Sequence, residues 1–295
     1  MSVLIYSIEN SLIRVDVSDV GAELQSIRLK ADNTEYLWQG DPAYWARRAM
    51  NIFPVVGRLT GGKYIYQGRE YEMMLHGFMR ESHMDVAEHT ADFIAFSLRA
   101  NDETLPQYPF DFELVISYRL SGNSLSVNFH VVNHDTKTMI YACGNHAGYN
   151  VPLQPGEAFE DYYLEFDRPT DVKNIVFSDT CYLTEEEVSW PLADGTRIPL
   201  RHDLFHRDAL IFGNTCRGVA LKSGKCGKQL HISFPDMPYL AIWHKPHSDA
   251  PYVCIQPWYS LPSYDGVVDH LETKRDMVHL EPGDSRDLGY TVTIR

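Results

Sequence analysis

The most regular pattern along this chain is an alternation of apolar and polar residues with a period of two. In "DFELVISYRL" (111–120) apolar side chains occupy every second position, and the alternation resumes in "LSVNFHVVN" (125–133). The segment between them, "SGNS" (121–124), contains a Gly-Asn pair that is typical of tight turns. Alternation on both sides of a turn predicts an antiparallel hairpin over 111–133.

Short alternating segments recur along the rest of the chain. The segment "LIRVDVSDVGAELQSIRLK" (12–30) predicts a strand pair with its turn near Gly21. Further strands are predicted in shorter segments, namely 92–100, 162–167, 217–223, 228–235, 239–245, 252–258 and 288–295. Helical periodicity is weak, and only "GDPAYWARRAMNIF" (40–53) and "LTEEEV" (183–188) are predicted to form one or two helical turns.

Many short strands with few helices are typical of an all-β protein built as a large sandwich or barrel. A length of 295 residues would allow two domains, but all-β proteins of this size often form one. We find no internal repeat, low-complexity tract or linker in the sequence. The sequence therefore predicts a single all-β domain over 1–295.

Net charge and cysteine content indicate the cellular compartment of the protein and the classes of partner that it binds. The net charge of −14 argues against a nucleic-acid or anionic membrane surface, since both need clustered Lys and Arg, and it is compatible with an uncharged ligand. There is no basic leader segment and no stretch that approaches ~18 apolar residues, so we expect a cytoplasmic protein. The five cysteines lack any C-x-x-C pair and are expected to be reduced: Cys143, Cys181, Cys216, Cys226 and Cys254.

Thirteen histidines raise the question of a metal site. The closest pairs are His202 with His206 and His244 with His247, and neither has a third ligand at a recognised spacing. Surface or loop histidines are the preferred interpretation, and no metal site is predicted. The glycine-rich "GRLTGGKY" (57–64) is interpreted as a hairpin turn between strands rather than as a phosphate-binding loop.

Two histidines differ from the others in their neighbours. His76 lies in "LHGFMR" just before a glycine, and His146 lies between Gly144 and Gly148 at the end of an apolar strand. Small neighbours let a ligand approach the backbone closely. Taken singly, each histidine is more often structural than catalytic, but the two are the best candidates for a site.

Gln256 lies in "YVCIQPWYSLP" (252–262), where a buried strand is predicted to break into an aromatic segment. A buried amide without partners costs about 1–3 kcal/mol. Gln256 is therefore a satisfied structural amide, a ligand-binding amide or the replacement of a residue that does chemistry. The segment alone leaves these three interpretations open.

Four stretches, taken in order, resemble the aldose 1-epimerase (galactose mutarotase) superfamily and most of all its short bacterial LacX-like branch. They are residues 44–80, which include "GRL" and "LHGFMR", "GNHAGYNVPL" (144–153), "HRDALIF" (206–212) and "VCIQPWYSLPS" (253–263). The resemblance implies a β-supersandwich with a sugar cleft on one face. It also implies interconversion of the α and β anomers of a free hexose without any cofactor.

The resemblance assigns roles by position. Arg58 and His76 correspond to sugar-binding positions, and His146 corresponds to the general acid. Asp208 is the best match for an acidic residue that holds sugar hydroxyls. Gln256 falls where the family usually has a glutamate, the general base.

Gln256 lacks the proton-accepting group that this reaction requires at its position. Opening a hemiacetal ring needs one group to protonate the ring oxygen and another to take the proton of the anomeric hydroxyl. Histidine titrates near neutral pH and suits the first role, but glutamine takes no proton at physiological pH. Loss of a general base costs ~10²–10⁴ in rate, or roughly 3–5 kcal/mol. Asp208 is the first substitute to consider, and Asp265 and Asp269 are others.

Neighbouring positions modify the expected site. Aromatic side chains often line ligand clefts, so Trp258 or Tyr259 is expected to pack on the apolar face of the sugar. Core packing is an equally favoured interpretation of Trp258. Ala147 stands where this branch commonly has a proline after the histidine, and we expect it to loosen the loop that orients His146.

Three functions remain open at this point. The first is an aldose 1-epimerase acting on a neutral hexose, and the second is a non-catalytic carbohydrate-binding or sensing protein, which Gln256 favours. The third is a hexose-6-phosphate epimerase, which needs a cationic pocket to which Arg47 and Arg48 would contribute, although the net charge lends no support. A glycosidase would show a carboxylate pair, and no motif here displays one. The oligomeric state does not follow from the sequence.

Overall fold

The computed structural model describes residues 2–225 and 227–295, so Cys226 lies outside the described residues. Within them the chain forms 23 strands and five short 3₁₀ helices, the latter at Thr60–Gly62, Met79–Glu81, Phe159–Asp161, His202–Phe205 and Leu271–Thr273. None of these helices has the length and apolar character needed to cross a membrane. The cysteines within the described ranges are free thiols, namely Cys143, Cys181, Cys216 and Cys254.

The strands are numbered in chain order. The first twelve are β1 (Ile5–Glu9), β2 (Ile13–Ser18), β3 (Leu24–Leu29), β4 (Ala49–Ile52), β5 (Lys63–Tyr66), β6 (Arg69–Glu72), β7 (Asp85–His89), β8 (Phe93–Arg99), β9 (Phe112–Ser121), β10 (Ser124–Asn133), β11 (Met139–Tyr141) and β12 (Cys143–Asn150). The others are β13 (Tyr162–Phe166), β14 (Lys173–Phe177), β15 (Leu183–Ser189), β16 (Arg197–Pro199), β17 (Leu210–Gly213), β18 (Gly218–Ser223), β19 (Gln229–Ser233), β20 (Tyr239–Trp243), β21 (Tyr252–Tyr259), β22 (Val278–Leu280) and β23 (Ser285–Ile294).

One large antiparallel sheet has nine strands in the order β16-β13-β18-β19-β23-β10-β9-β8-β7. The predicted hairpin over 111–133 is confirmed as β9 and β10, which pair from Phe112 opposite Asn133 to Ser121 opposite Ser124. Buried residues alternate with more exposed ones along β9, β10 and β23. This period of two shows that the sheet buries one face and leaves the other partly open to solvent.

The second large sheet has seven strands in the order β15-β14-β17-β20-β21-β12-β4. Its central strands β12 and β21 are buried at seven of their eight residues, so both faces are covered by other parts of the chain. Apolar side chains from both large sheets belong to one buried cluster, as in a β-sandwich. Smaller sheets of two or three strands, β1-β2-β3, β5-β6 and β11-β22, complete the described strand pairing.

Several local predictions are wrong. "LTEEEV" (183–188) is not helical but forms most of the edge strand β15, because pairing with β14 overrides the local preference. In 40–53 turns lead into strand β4 rather than into a helix. "GRLTGGKY" (57–64) is not a hairpin turn, since it contains a 3₁₀ helix before β5, whose hairpin partner is β6. The turn near Gly21 between β2 and β3 is confirmed.

Candidate functional site

A cavity of about 280 Å³ lies against the seven-stranded sheet. Every site residue predicted from the sequence lines it, namely Arg58, His76, His146, Asp208, Gln256 and Trp258. These side chains come from five separate segments of the chain. The fold therefore brings together residues that the sequence pattern linked only by resemblance.

Three neighbouring strands place a row of side chains on the cavity wall. His146 of β12 pairs with Met50 of β4. On its other side β12 pairs with β21 at Gly144 opposite Trp258 and at Gly148 opposite Cys254, a register that sets His146 opposite Gln256. The strand register thus fixes which side chains face each other across the site.

The strand β21 does not end at Gln256, as the sequence had suggested. It continues to Tyr259, and its pairing with β20 runs through Pro257 opposite Leu240. Its pairing with β12 is interrupted between the Gly144 and Gly148 positions, and Pro257, which has no N–H to donate, lies in that interruption. Gln256 is therefore held in the middle of a strand.

The glycines beside His146 serve a different purpose from the predicted one. A Cβ at Gly144 would lie 2.7 Å from the Pro257 carbonyl oxygen and 3.0 Å from Cδ1 of Trp258. A Cβ at Gly148 would lie 3.2 Å from Cζ3 of Trp45. These positions make room for aromatic side chains around His146, and not for a ligand that approaches the backbone.

His146 is almost enclosed by rings. Its imidazole lies 4.8 Å from the ring of Trp45, 5.5 Å from that of Trp243 and 5.3 Å from that of His76, measured between centroids. Burial lowers the pKa of His146 to about 3, so the ring is neutral at pH 7. The expectation that this histidine titrates near neutral pH is therefore wrong, because the aromatic enclosure removes water.

His76 has a defined tautomer. The Gly57 N–H donates to Nδ1 of His76 at 3.1 Å, and the residue has a positive φ of 64°. Burial, and secondarily the charge of His146, lower the pKa of His76 well below its ordinary value. A neutral ring whose Nδ1 accepts must carry its proton on Nε2, so His76 can offer an N–H to a ligand.

Gln256 is not a satisfied structural amide. Its side chain is 1% exposed, and its Oε1 has no hydrogen-bond partner in the part of the chain that the structure describes. Nδ1 of His146 and Nε1 of Trp258 are buried without a partner in the same way. Unsatisfied buried polar atoms of this kind cost about 1–3 kcal/mol each, which points to a site that is completed by a ligand or water.

Asp208 is the only carboxylate among the described residues that line the cavity. It lies just after the 3₁₀ helix His202–Phe205, with a positive φ of 85°, and its Oδ2 is 3.6 Å from Nη2 of Arg58. The other carboxylates considered from the sequence, Asp265 and Asp269, do not line the cavity. The structure therefore leaves Asp208 as the one candidate for a carboxylate base.

Asp269 has a structural role near the cavity instead. It forms a buried ion pair with Lys274 at 2.8 Å and accepts a hydrogen bond from the hydroxyl of Ser263. The Ser263 N–H donates to the Arg58 carbonyl at 2.9 Å, and the Thr60 N–H donates to the Ser263 hydroxyl at 3.2 Å. This network ties the backbone that carries Arg58 to a buried charge pair.

Two further arginines line the cavity, namely Arg47, which the sequence suggested only for a phosphate pocket, and Arg80, which it did not suggest. Arg47 forms ion pairs with Glu81 and, at 3.7 Å, with Glu23, and Nε of Arg80 lies 3.6 Å from Glu81. Together with the Arg58 pair described above, every cavity arginine has a nearby carboxylate. The charges around the cavity are thus nearly balanced.

The structure also locates Trp258, Tyr259 and Ala147 relative to the cavity. Trp258 lines the cavity, whereas Tyr259 lies on the opposite face of β21 and its hydroxyl accepts from Arg286 at 3.2 Å. Ala147 is buried inside strand β12 and pairs with Ala49. The expected loosening of a loop around His146 is therefore wrong, because a strand carries both residues.

The sequence also missed the walls of the cavity. Trp45 and Trp243 flank His146, and Phe177 and Cys181 line the side near Asp208. No sequence signal marks them, since an aromatic or apolar residue at such positions packs in a core as readily as it lines a cavity. Among the described residues, no group of His, Cys, Asp or Glu could hold a metal ion. His202 instead pairs with His244, with Nδ1 and Nε2 3.0 Å apart.

The chain is similar to known proteins over nearly its whole length. The family model described as aldose 1-epimerase matches residues 5–288. The plasmid-encoded protein LacX of Lactococcus lactis subsp. lactis is 33% identical over 298 residues, which cover 97% of this chain and 98% of that protein.

Solved structures give the same result. A galactose mutarotase related enzyme from Lactobacillus acidophilus superposes with a TM-score of 0.94 at 36% identity, covering 99% of this chain and 97% of that one. A galactose mutarotase-like protein from Lactobacillus casei superposes with a TM-score of 0.93 at 32% identity, covering 99% of this chain and 100% of that one. The predicted all-β supersandwich of the galactose mutarotase type is confirmed.

Proposed function

This chain belongs to the aldose 1-epimerase family, and on that premise we propose that it interconverts the α and β anomers of a free, uncharged hexose. The observation that carries the proposal is the meeting of His76, His146 and the Arg58–Asp208 pair around one cavity with nearly balanced charge. A neutral polyhydroxylated ligand suits such a cavity. It can donate and accept hydrogen bonds without bringing a charge that needs compensation.

The proposed chemistry is ring opening and closure by proton transfer. A neutral imidazole carries one N–H and one bare nitrogen, so the N–H of His146 donates a hydrogen bond to the ring oxygen and stabilises the negative charge that develops there as the ring opens. The proton that the anomeric hydroxyl releases is the one that the ring oxygen finally gains, and closure on the other face reverses the transfer. His76, with its proton on Nε2, and Arg58 hold sugar hydroxyls as donors. Enclosure by Trp45 and Trp243 keeps water away from His146.

The proton of the anomeric hydroxyl needs an acceptor, and Gln256 does not supply one. We assign that role to Asp208, since it is the only carboxylate among the described lining residues. The unpaired Oε1 of Gln256 then accepts a hydrogen bond from a sugar hydroxyl, which satisfies a buried atom but moves no proton. In this proposal Gln256 orients the sugar and Asp208 takes the proton.

The second candidate is a carbohydrate-binding protein without turnover. It is favoured by the same unpaired Oε1, since a hydrogen bond to a hydroxyl is all that Gln256 can offer. A hexose-6-phosphate epimerase is less well supported, because Arg47 is already paired with Glu81. Arg48 does not line the cavity, and its guanidinium donates to the Gln25 carbonyl at 2.7 Å.

Anomer exchange of α-glucose and α-galactose, followed by polarimetry or NMR, tests the proposal. The wild type should exceed the buffer rate for at least one sugar. Asp208→Asn should lower the enzymatic rate by ~10²–10⁴, as expected for loss of a general base, and His146→Gln by a similar factor. Asp265→Asn is the matched control, since Asp265 does not line the cavity and should leave the rate unchanged.

Three outcomes would count against one or both candidates or against the assigned base. A rate equal to buffer for every sugar, together with measurable sugar binding, favours the binding protein. If the wild-type rate exceeds the buffer rate and Asp208→Asn does not change it, Asp208 is not the base, but the epimerase proposal is retained. A wild-type rate equal to buffer without any sugar binding rejects both candidates.

A further inference from the structure

A cavity of about 490 Å³ lies on the open face of the nine-stranded sheet. Strands β13, β18, β19 and β23 and the loop after β13 supply most of its lining. This outer cavity shares no lining residue with the first cavity, the one that holds His146 and Gln256. It is therefore separate from the proposed epimerase site, and what it binds does not depend on that proposal.

The floor of the outer cavity is a small residue of β18. Ala220 is buried and pairs with Glu165 on one side and with His231 on the other, and both partners line the cavity. His231 in turn pairs with Thr293 of β23. Residues directly opposite each other on neighbouring strands point to the same face of a sheet. Longer polar side chains therefore stand around the short side chain of Ala220.

The loop after β13 folds onto the same face at Gly218. A Cβ at Gly218 would lie 1.8 Å from Oδ2 of Asp167, so this carboxylate fills the space that a side chain of β18 would take. The other oxygen of Asp167, Oδ1, lies 2.8 Å from Nε2 of His231. Because a carboxylate oxygen accepts, Nε2 of His231 carries a proton. The Asp167 carboxylate is thus already occupied, and the next residue of the loop, Arg168, lines the cavity.

The lining holds more cationic side chains than carboxylates, namely Arg168, Lys222 and Arg295 against Glu165 and Asp167. Glu165 is bonded both by Lys222 and, at 2.7 Å, by Nε of Arg197. Arg168 and Arg295 are exposed, and their guanidinium groups form no hydrogen bond or ion pair with any residue that the structure describes. In a chain with a net charge of −14, the outer cavity thus offers two unpaired cations to a ligand.

We infer that the outer cavity binds a phosphate monoester of a small polar molecule. Guanidinium groups bind phosphate oxygens through paired, charge-assisted hydrogen bonds, and a monoester brings close to two negative charges for the two arginines. A monocarboxylate would leave one guanidinium without a counter-charge. The amide of Gln229 and the hydroxyls of Thr196 and Thr293 line the same space and can bond the polar remainder of the ligand.

Isothermal titration calorimetry with glycerol 3-phosphate at constant ionic strength tests this site. The wild type should bind it with a Kd of about 1 mM or tighter, and glycerol should not bind measurably. Arg168→Ala and Arg295→Ala should each weaken binding about tenfold or more. Both variants should keep the wild-type rate of anomer exchange, since neither side chain lines the first cavity.

Arg119→Ala is the matched control, since Arg119 is exposed on β9 of the same sheet, does not line the outer cavity and should keep the wild-type affinity. Arg58→Ala should also keep it, since Arg58 lines the first cavity.

Three results would reject the inference. The first is that the wild type does not bind glycerol 3-phosphate. The second is an equal loss of affinity in Arg119→Ala, which would show a general effect of charge. The third is that Arg58→Ala abolishes binding while Arg168→Ala and Arg295→Ala retain it, which would place the phosphate in the first cavity. Anomer exchange is measured without the ester, so each result leaves the proposed function to its own test.

Discussion

The rings of His76 and His146 meet edge to face, with their centroids 5.3 Å apart and an angle of 85° between their planes. Both side chains are buried, and burial is the main reason that the pKa of each lies below its ordinary value. Two neutral imidazoles can lie this close, whereas two charged ones would repel each other. Neutrality of the pair is therefore a condition of the native site.

The first prediction concerns stability against pH. The pKa of His146 is about 3 in the folded protein and about 6.5 when unfolded, so the unfolded chain binds more protons between these values. The contribution of His146 to the free energy of unfolding should be fully present above about pH 6.5. It should fall by up to ~1.4 kcal/mol per pH unit as the pH drops toward 3. Urea unfolding between pH 7 and pH 4 measures this slope.

The His146→Gln variant should show a smaller loss of stability over the same range, because glutamine does not titrate. His279 is exposed on β22, and His279→Gln should keep the wild-type slope. An equal slope in the wild type and in His146→Gln would show that the acid sensitivity has another origin.

The second prediction concerns the base. Gln256→Glu restores a carboxylate opposite His146 and should raise the rate of anomer exchange, by as much as the ~10²–10⁴ that a general base contributes. The acidic limb of the pH–rate profile should move to higher pH in the variant, since the carboxylate that accepts the proton is then a buried one. The variant should be less stable than the wild type, because it buries a carboxylate at a position where the side chain is 1% exposed.

Gln154→Glu is the control for this substitution, as Gln154 is exposed and does not line the cavity. It should change neither the rate nor the pH profile. If Gln256→Glu binds sugar as the wild type does and exchanges anomers no faster, position 256 does not limit the reaction.

The third prediction concerns Gly144. An alanine there would bring a Cβ to 2.7 Å from the Pro257 carbonyl oxygen, so β12 and β21 must separate or Trp258 must move. Overpacking of this kind typically costs ~1–3 kcal/mol, and chemical denaturation should show a loss of that size. Gly224→Ala is the matched control, because nothing lies within 4 Å of its Cβ position. A fully stable Gly144→Ala would contradict the close packing of these strands.

The fourth prediction concerns the buried Asp269–Lys274 pair. Asp269→Asn leaves Lys274, whose side chain is 3% exposed, without its counter-charge, and breaking such a pair typically costs ~3–5 kcal/mol. Ser263→Ala is a milder variant that removes the hydroxyl contacts of Asp269 and Thr60 and should cost ~1–3 kcal/mol. Both should raise KM more than they lower kcat, because they loosen the backbone that positions Arg58.

Steady-state kinetics on the better hexose separates the two parameters. Asp265→Asn again serves as the control, with no change expected in KM or in stability. If Ser263→Ala lowers kcat at constant KM, the network acts on the proton-transfer step and not on sugar binding.

The sequence predicted the fold well where a local pattern reports burial. The hairpin of β9 and β10 could be read from alternation because these strands bury one face. The edge strand β15 could not, since "LTEEEV" lacks alternation and becomes a strand only by pairing with β14. Central strands such as β21 are buried on both faces, so their pattern does not show where they end.

The site could be predicted as a set of residues but not as a geometry. The resemblance identified His146 and Gln256. That the two face each other depends on the strand register between segments more than a hundred residues apart. The neutrality of His146 depends on Trp45 and Trp243, which no motif connects to it. Long-range pairing and burial are properties of the folded chain, and for that reason the chemistry of the site had to come from the structure.

The position of β23 has a consequence for how the protein is made. It is the last of the described strands in the chain, yet it lies between β19 and β10 and joins two four-stranded halves of the nine-stranded sheet. During synthesis β23 cannot join these halves until the ribosome has released it. A nascent chain that lacks this strand carries two open sheet edges, the surfaces most prone to pair with another chain.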